Sequence, residues 1–123
     1  MALTKTVNTQ INANNYLAVS TEYGAATVTA VDCSAVLIAD VEAVCTYNAS
    51  GTTAAIIRVY ASSDNSNFGS SPVDQFTMPF AANTTKRWSK TIVPSAKYIK
   101  ATIYNADAAY AITAMSVFLT TQA

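Results

Sequence analysis

Residues 54–68, Ala54-Ala-Ile-Ile-Arg-Val-Tyr-Ala-Ser-Ser-Asp-Asn-Ser-Asn-Phe68, join a β-branched apolar run directly to a cluster of Ser, Asp and Asn. β-Branched residues are stiff at χ1 and pack well on a pleated surface, so Thr53 to Ala61 reads as a strand. It is apolar on both sides except at Arg58, which places it centrally in a sheet with the core on one face. The polar cluster over Ser62 to Pro72 reads as a turn, because Asp, Asn and Ser side chains bond to nearby backbone.

The same alternation of short strand and small polar turn extends to both sides. From Ala35 to Tyr47 the odd positions Leu37, Ala39, Val41, Ala43, Cys45 and Tyr47 are apolar, with Asp40, Glu42 and Thr46 between them. A period of two means a strand with one buried and one wet face. Tyr98 to Asn105 alternates as strictly: Ile99, Ala101 and Ile103 point one way, Tyr98, Lys100, Thr102 and Tyr104 the other. Phe76, Met78 and Phe80 outline a further strand in which Pro79 marks an edge or an end. Lys86 to Val93 carries Trp88 and Ile92 in phase, and Tyr110 to Thr121 closes the chain with one long strand. Upstream, Tyr16 to Tyr23 and Ala25 to Val31 flank Gly24 and read as a hairpin. Thr4 to Asn15 holds only Val7 and Ile11 among Thr, Asn and Gln, the composition of an extended arm or edge strand that packs on a neighbouring subunit. About eight strands at spacings near ten residues, without a helical pattern, predict an all-β, two-sheet antiparallel sandwich of jelly-roll type. Residues 1–15 form the arm in this reading and residues 16–123 the sandwich.

A chain of 123 residues buries roughly two-thirds of its unfolded surface. Half of it (51%) is hydrophobic and only 11% is charged, against about 25% charged in an ordinary soluble domain. Seven Lys and Arg balance seven Asp and Glu. A surface this neutral gives no field to attract a phosphate backbone and little repulsion between copies, so self-association is expected and nucleic acid is not. Residues 1–10 lack a signal-peptide core, and no stretch nears the roughly 20 apolar residues that cross a bilayer, so neither export by such a signal nor a membrane partner is expected.

Catalytic chemistry has little to work with. There is no histidine, which removes Ser-His and Cys-His nucleophiles. Asp40 and Glu42 could serve a sugar as acid and base, but a solvated sheet face accounts for them better. The loop from Asp64 has a Gly at its sixth position, yet offers Ser66, Phe68 and Gln75 where a calcium loop needs oxygen ligands at the third, fifth and twelfth. Cys33 and Cys45 without histidine make no zinc site. Cys45, in phase with Val41 and Tyr47, reads as a small buried hydrophobe, and a Cys33–Cys45 bridge requires strands that bring the two together. The expectation is a non-enzymatic chain without cofactor or metal. Asn48-Ala-Ser and Asn83-Thr-Thr match the glycosylation sequon, as an Asn- and Thr-rich chain does by chance. Lys86, Arg87, Lys90, Lys97 and Lys100 supply positive charge that alternation scatters over two faces, as protection of edge strands requires. The aromatics Tyr23, Trp88, Tyr98 and Tyr104, with Tyr60, are the candidate contacts for a ligand or a protein interface. Packing is the default role for most of them.

From Ile56 onward the order of features resembles the galactose-binding-like, discoidin-type sandwiches: VYASSDNSNF for their strand, Ser-x-Asp-Gly and aromatic turn, and Tyr98-Ile99-Lys100 for their aromatic, aliphatic and basic strand. Asn65 stands where that family has Gly. The resemblance covers the second half of the chain and implies fold more than ligand. As a whole, the chain is similar to small structural proteins of tailed bacteriophages, in its abundance of Ala, Thr, Ser and Asn and its low charge. That similarity implies a virion protein: a capsid decoration or minor capsid protein, or a tail or fibre component. Its partners would be further copies of itself, as in a trimer, and a major capsid or tail protein. A carbohydrate-binding module of the same fold class is the alternative, with a glycan as partner.

Overall fold

A computed structural model describes residues 4–14, 16–23, 28–36, 38–94 and 96–123. Nine strands and no helix are found among them: β1 (Lys5–Asn14), β2 (Glu22–Tyr23), β3 (Val31–Asp32), β4 (Ile38–Tyr47), β5 (Ile56–Ser62), β6 (Asp74–Thr77), β7 (Thr85–Ile92), β8 (Tyr98–Tyr104) and β9 (Ile112–Gln122). One antiparallel sheet runs β1-β9-β4-β7 and the other β2-β8-β5-β6, with β3 also on β8. The chain crosses between sheets at almost every connection. Counting β2 and β3 as one interrupted strand along the same edge of β8 gives two four-stranded layers in jelly-roll order.

The period-two patterns decide which faces meet. Ala39, Val41, Ala43, Cys45 and Tyr47 of β4 are buried against Ile57 and Val59 of β5, Ile99, Ala101 and Ile103 of β8, and Met115, Val117 and Leu119 of β9. β5 lies between β8 and β6, as its two-sided apolar sequence requires. The cysteines are free and buried. Cys45 Sγ lies 3.7 Å from Met78 Sδ, packing as an apolar group.

Three readings of the sequence change. Of the hairpin expected around Gly24, the two described strands both pair with β8 instead: Glu22–Tyr23 with Tyr104–Ile103 and Val31–Asp32 with Ile99–Tyr98. Two-residue strands make too few bonds to hold each other, whereas β8 offers a long edge. Gly24, Ala25 to Thr27 and Leu37 lie outside the described residues. The strand expected through Phe80 stops at Thr77. Pro79 cannot donate to a ladder, so Phe80 leaves the sheet and meets the Tyr47 ring edge-on at 4.7 Å. Thr102, read as solvent-facing, is fully buried.

Polar side chains close the places where strands end. Tyr47 Oη donates to the Pro79 carbonyl (2.9 Å) and accepts from the Ala55 amide (3.1 Å), and burial pushes its pKa up. At one end of the sandwich Asn105 Nδ2 donates to the carbonyls of Leu17, Ala18 and Tyr110. Beside it the Asp107 carboxylate accepts from the amides of Thr52, Ala109 and Tyr110. The Thr52 amide leads in holding its pKa down at about 2.

Candidate functional site

On the outer face of the β2-β8-β5-β6 sheet the strand register sets charged and aromatic side chains side by side. β8 presents Tyr98, Lys100, Thr102 and Tyr104. Tyr104 lies opposite Glu22 and Ile56, Thr102 opposite Arg58, and Lys100 opposite Tyr60. Arg58 Nη1 donates to Glu22 Oε1 at 2.7 Å and Nε to Gln75 Oε1 at 3.1 Å, while the guanidinium lies 4.3 Å above the Tyr104 ring. The Tyr60 hydroxyl reaches both Glu22 oxygens at 3.0 Å. The hydrogen bond to Glu22 raises the Arg58 pKa. Burial, and then Glu22, raise that of Tyr60. Thr102, within this cluster, has a buried Oγ1 with no hydrogen-bond partner.

Next to the ion pair is an open recess of about 230 Å³ lined by Glu22, Tyr60, Phe68, Gly69, Ser70 and Lys100. Lys100 Nζ lies 4.2 Å from the Phe68 ring centre and 6.0 Å from that of Tyr60. The loop that delivers Phe68 is built by Asp64, whose carboxylate accepts from Ser62 Oγ, the Ser66 and Asn67 amides and Asn67 Nδ2. These bonds, led by that of the Asn67 amide, lower the Asp64 pKa. Asn65 takes the left-handed conformation at φ 62°, which Asn tolerates in turns. Asp64 therefore serves its own turn. Among the described residues no group of three or more His, Cys, Asp and Glu could hold a metal ion.

Of the four candidate aromatics, the structure brings Tyr98 and Tyr104 onto this face, with Lys97 Nζ 5.4 Å over the Tyr98 ring. The other two lie elsewhere. Tyr23 is opposite buried Ile103 and packs on the core. Trp88 is opposite buried Ala43 and lies 5.0 Å from Phe76 at the sandwich edge, where Lys90 covers the Phe76 ring at 4.3 Å. Asp40 and Glu42 sit on the outer face of the other sheet. Asp40 accepts from the Thr91 hydroxyl and Glu42 pairs with Arg87 at 3.1 Å. Sequence reading missed Glu22 and Phe68 as members of the cluster. Arg58 carried a signal, as the one polar residue in an otherwise apolar strand.

No known family pattern matches the chain, and no curated protein matches it in sequence. Among solved structures, the crystal structure of the PBSX exported protein XepA superposes with a TM-score of 0.60 at 14% identity, over 94% of this chain and 36% of that one. The chain thus spans little more than a third of that protein's length. At this identity the likeness carries the sandwich architecture, and the discoidin-type resemblance gains no support of its own.

Proposed function

We propose that this chain is a non-enzymatic structural component of a phage virion, acting through subunit contacts as a capsid decoration or minor capsid protein, or within a tail. The observation that carries the reading is the shared architecture with XepA of phage PBSX across nearly the whole chain. The low charge of the chain is in keeping with it, because a weakly charged surface favours docking between copies and onto a lattice. Its partners in this reading are further copies and a major capsid or tail protein. Immunogold labelling and mass spectrometry of purified particles from the encoding phage or prophage test it. Labelled particles support the proposal, and particles free of the chain sink it.

The outer-face recess favours a second reading, a carbohydrate-binding module. It combines a flat ring (Phe68), an acceptor carboxylate (Glu22) and donor groups (Lys100, Ser70). A cation would compete with Lys100 for the rings and an anion would meet Glu22. A neutral polyol suits both kinds of group, and the recess has room for a single sugar ring rather than a drug-sized ligand. Saturation-transfer NMR with methyl glycosides of common hexoses checks this. Contact that disappears in Phe68→Ala supports it, and no transfer from any of them rules it out.

A further inference from the structure

The β1-β9-β4-β7 sheet ends on two strands of opposite character. β7 carries Lys86, Arg87 and Lys90 within eight residues, whereas β1 carries a single charge, Lys5, within ten. On β1 the Thr4 N–H and C=O exchange bonds with Ala123 at 3.0 and 3.1 Å. Antiparallel alternation then makes Thr6–Thr121 and Asn8–Leu119 the bonded pairs, and turns the N–H and C=O groups of Lys5, Val7 and Thr9 away from β9. Among the described residues no hydrogen bond takes up these outward groups. They border a groove of about 680 Å³ whose far wall includes Thr29, Val31, Asp32 and Val36. Val7 is 64% exposed.

We infer that residues 5–9 of β1 pair antiparallel with the same residues of a second copy, about a two-fold axis at Val7. In that register each Val7 exchanges both backbone bonds with Val7 of the other copy, and each Lys5 does so with Thr9. All the outward groups are taken up and no like charges face each other. The two exposed valines meet on one face, removing apolar surface from water. The same operation on β7, centred on Trp88, sets Lys86 against Lys90 on both sides of the axis, and like charges directly opposite are destabilising. Charge thus selects β1 as the docking edge and a second copy as its occupant. The irregularity between Thr9 and Ile11 ends the regular edge, so the contact is short and the dimer reversible. A self-paired edge is isologous and closes at two. Any larger assembly needs a further surface, and the inference stands or falls independently of the virion reading.

Sedimentation velocity of the full chain over a concentration series tests the pairing. A monomer–dimer equilibrium is expected. Val7→Lys sets two ammonium groups across the axis and should raise the dimer dissociation constant by about tenfold or more, with the melting temperature unchanged at concentrations where the parent protein is monomeric, because Val7 is exposed in the single chain. Val7→Cys should form an intersubunit disulfide under mild oxidation, because bonded antiparallel pairs hold Cα atoms about 5.5 Å apart, inside the range a disulfide accepts. Lys86→Cys on β7 should not. A strictly monomeric protein overturns the inference. So does an oligomer indifferent to Val7→Lys, or a complex that forms only with an extended peptide of another protein.

Discussion

Gln10 Oε1 accepts a hydrogen bond from the Ala101 amide at 2.9 Å, tying β1 of one sheet to the middle of β8 in the other. β2 covers Tyr104 and Ile103 on that edge of β8, and β3 covers Ile99 and Tyr98. The amide between them has no strand to pair with. Gln10 supplies the missing acceptor and donates through Nε2 to the Thr29 carbonyl at 2.9 Å. One side chain thus replaces a rung of the ladder.

Gln10→Leu should therefore destabilise the fold by about 1–3 kcal/mol, the cost of a buried amide left without a partner. Gln10→Glu keeps the acceptor but sets an ionised oxygen against the Thr29 carbonyl at a buried position, so its cost should be no smaller at neutral pH and should fall as the carboxyl is protonated. Chemical denaturation of both variants measures the difference.

Tyr47→Phe removes the hydroxyl that bridges the Ala55 amide and the Pro79 carbonyl and leaves the ring packing in place. A loss of about 1–3 kcal/mol is expected from the unsatisfied buried groups, read as a fall of several degrees in melting temperature. A neutral result would show that water replaces the hydroxyl.

The Glu22–Arg58 pair is partly shielded, with 16% and 25% of the side chains exposed, so it should count for more than a surface ion pair. A double-mutant cycle with Glu22→Gln and Arg58→Met is expected to give a coupling of about 1 kcal/mol, at the upper end for exposed pairs. Raising the salt concentration should reduce it only slightly.

Acid should loosen the end of the sandwich that Asp107 pins. Its carboxyl titrates at about 2 in the folded chain against an ordinary 3.8. The stabilisation from its ionised form is complete above the ordinary value and is lost as pH falls through about 2. Thermal melts between about pH 5 and 2 should show stability declining, and Asp107→Asn should flatten part of that decline. Asp64 and Asp32, lowered as well, account for a remainder.

Burial raises the pKa of both thiols and keeps them from solvent, so Cys33 and Cys45 should resist a thiol-reactive dye in the folded protein and react fully in denaturant. Rapid labelling of the native chain would contradict their packing.

What the sequence determined by itself was local and periodic. The alternation in Ala39 to Tyr47 and in Tyr98 to Tyr104 set which side chains share a face, because side chains on a strand alternate whatever lies beside it. The Asp64 turn was legible for the same reason: its bonds join neighbours in the chain. Pro79 was legible as a stop, although the strand it ends proved shorter than its aromatics suggested.

Tertiary structure alone decided which strands became neighbours, and that depends on contacts far apart in the chain. Nothing local in the stretch from Tyr16 to Val31 shows that its described strands pair with β8 rather than with each other. Nor does local sequence show that Glu22 reaches Arg58 and Tyr60, or that Gln10 completes the β8 edge. Pairing with β8 turned Tyr23 toward the core while Tyr98 and Tyr104 took the outer face, and pairing of β7 with β4 in the other sheet set Trp88 against the core edge. A period of two separates two faces of a strand, but only the packing of the sheets decides which of them meets water.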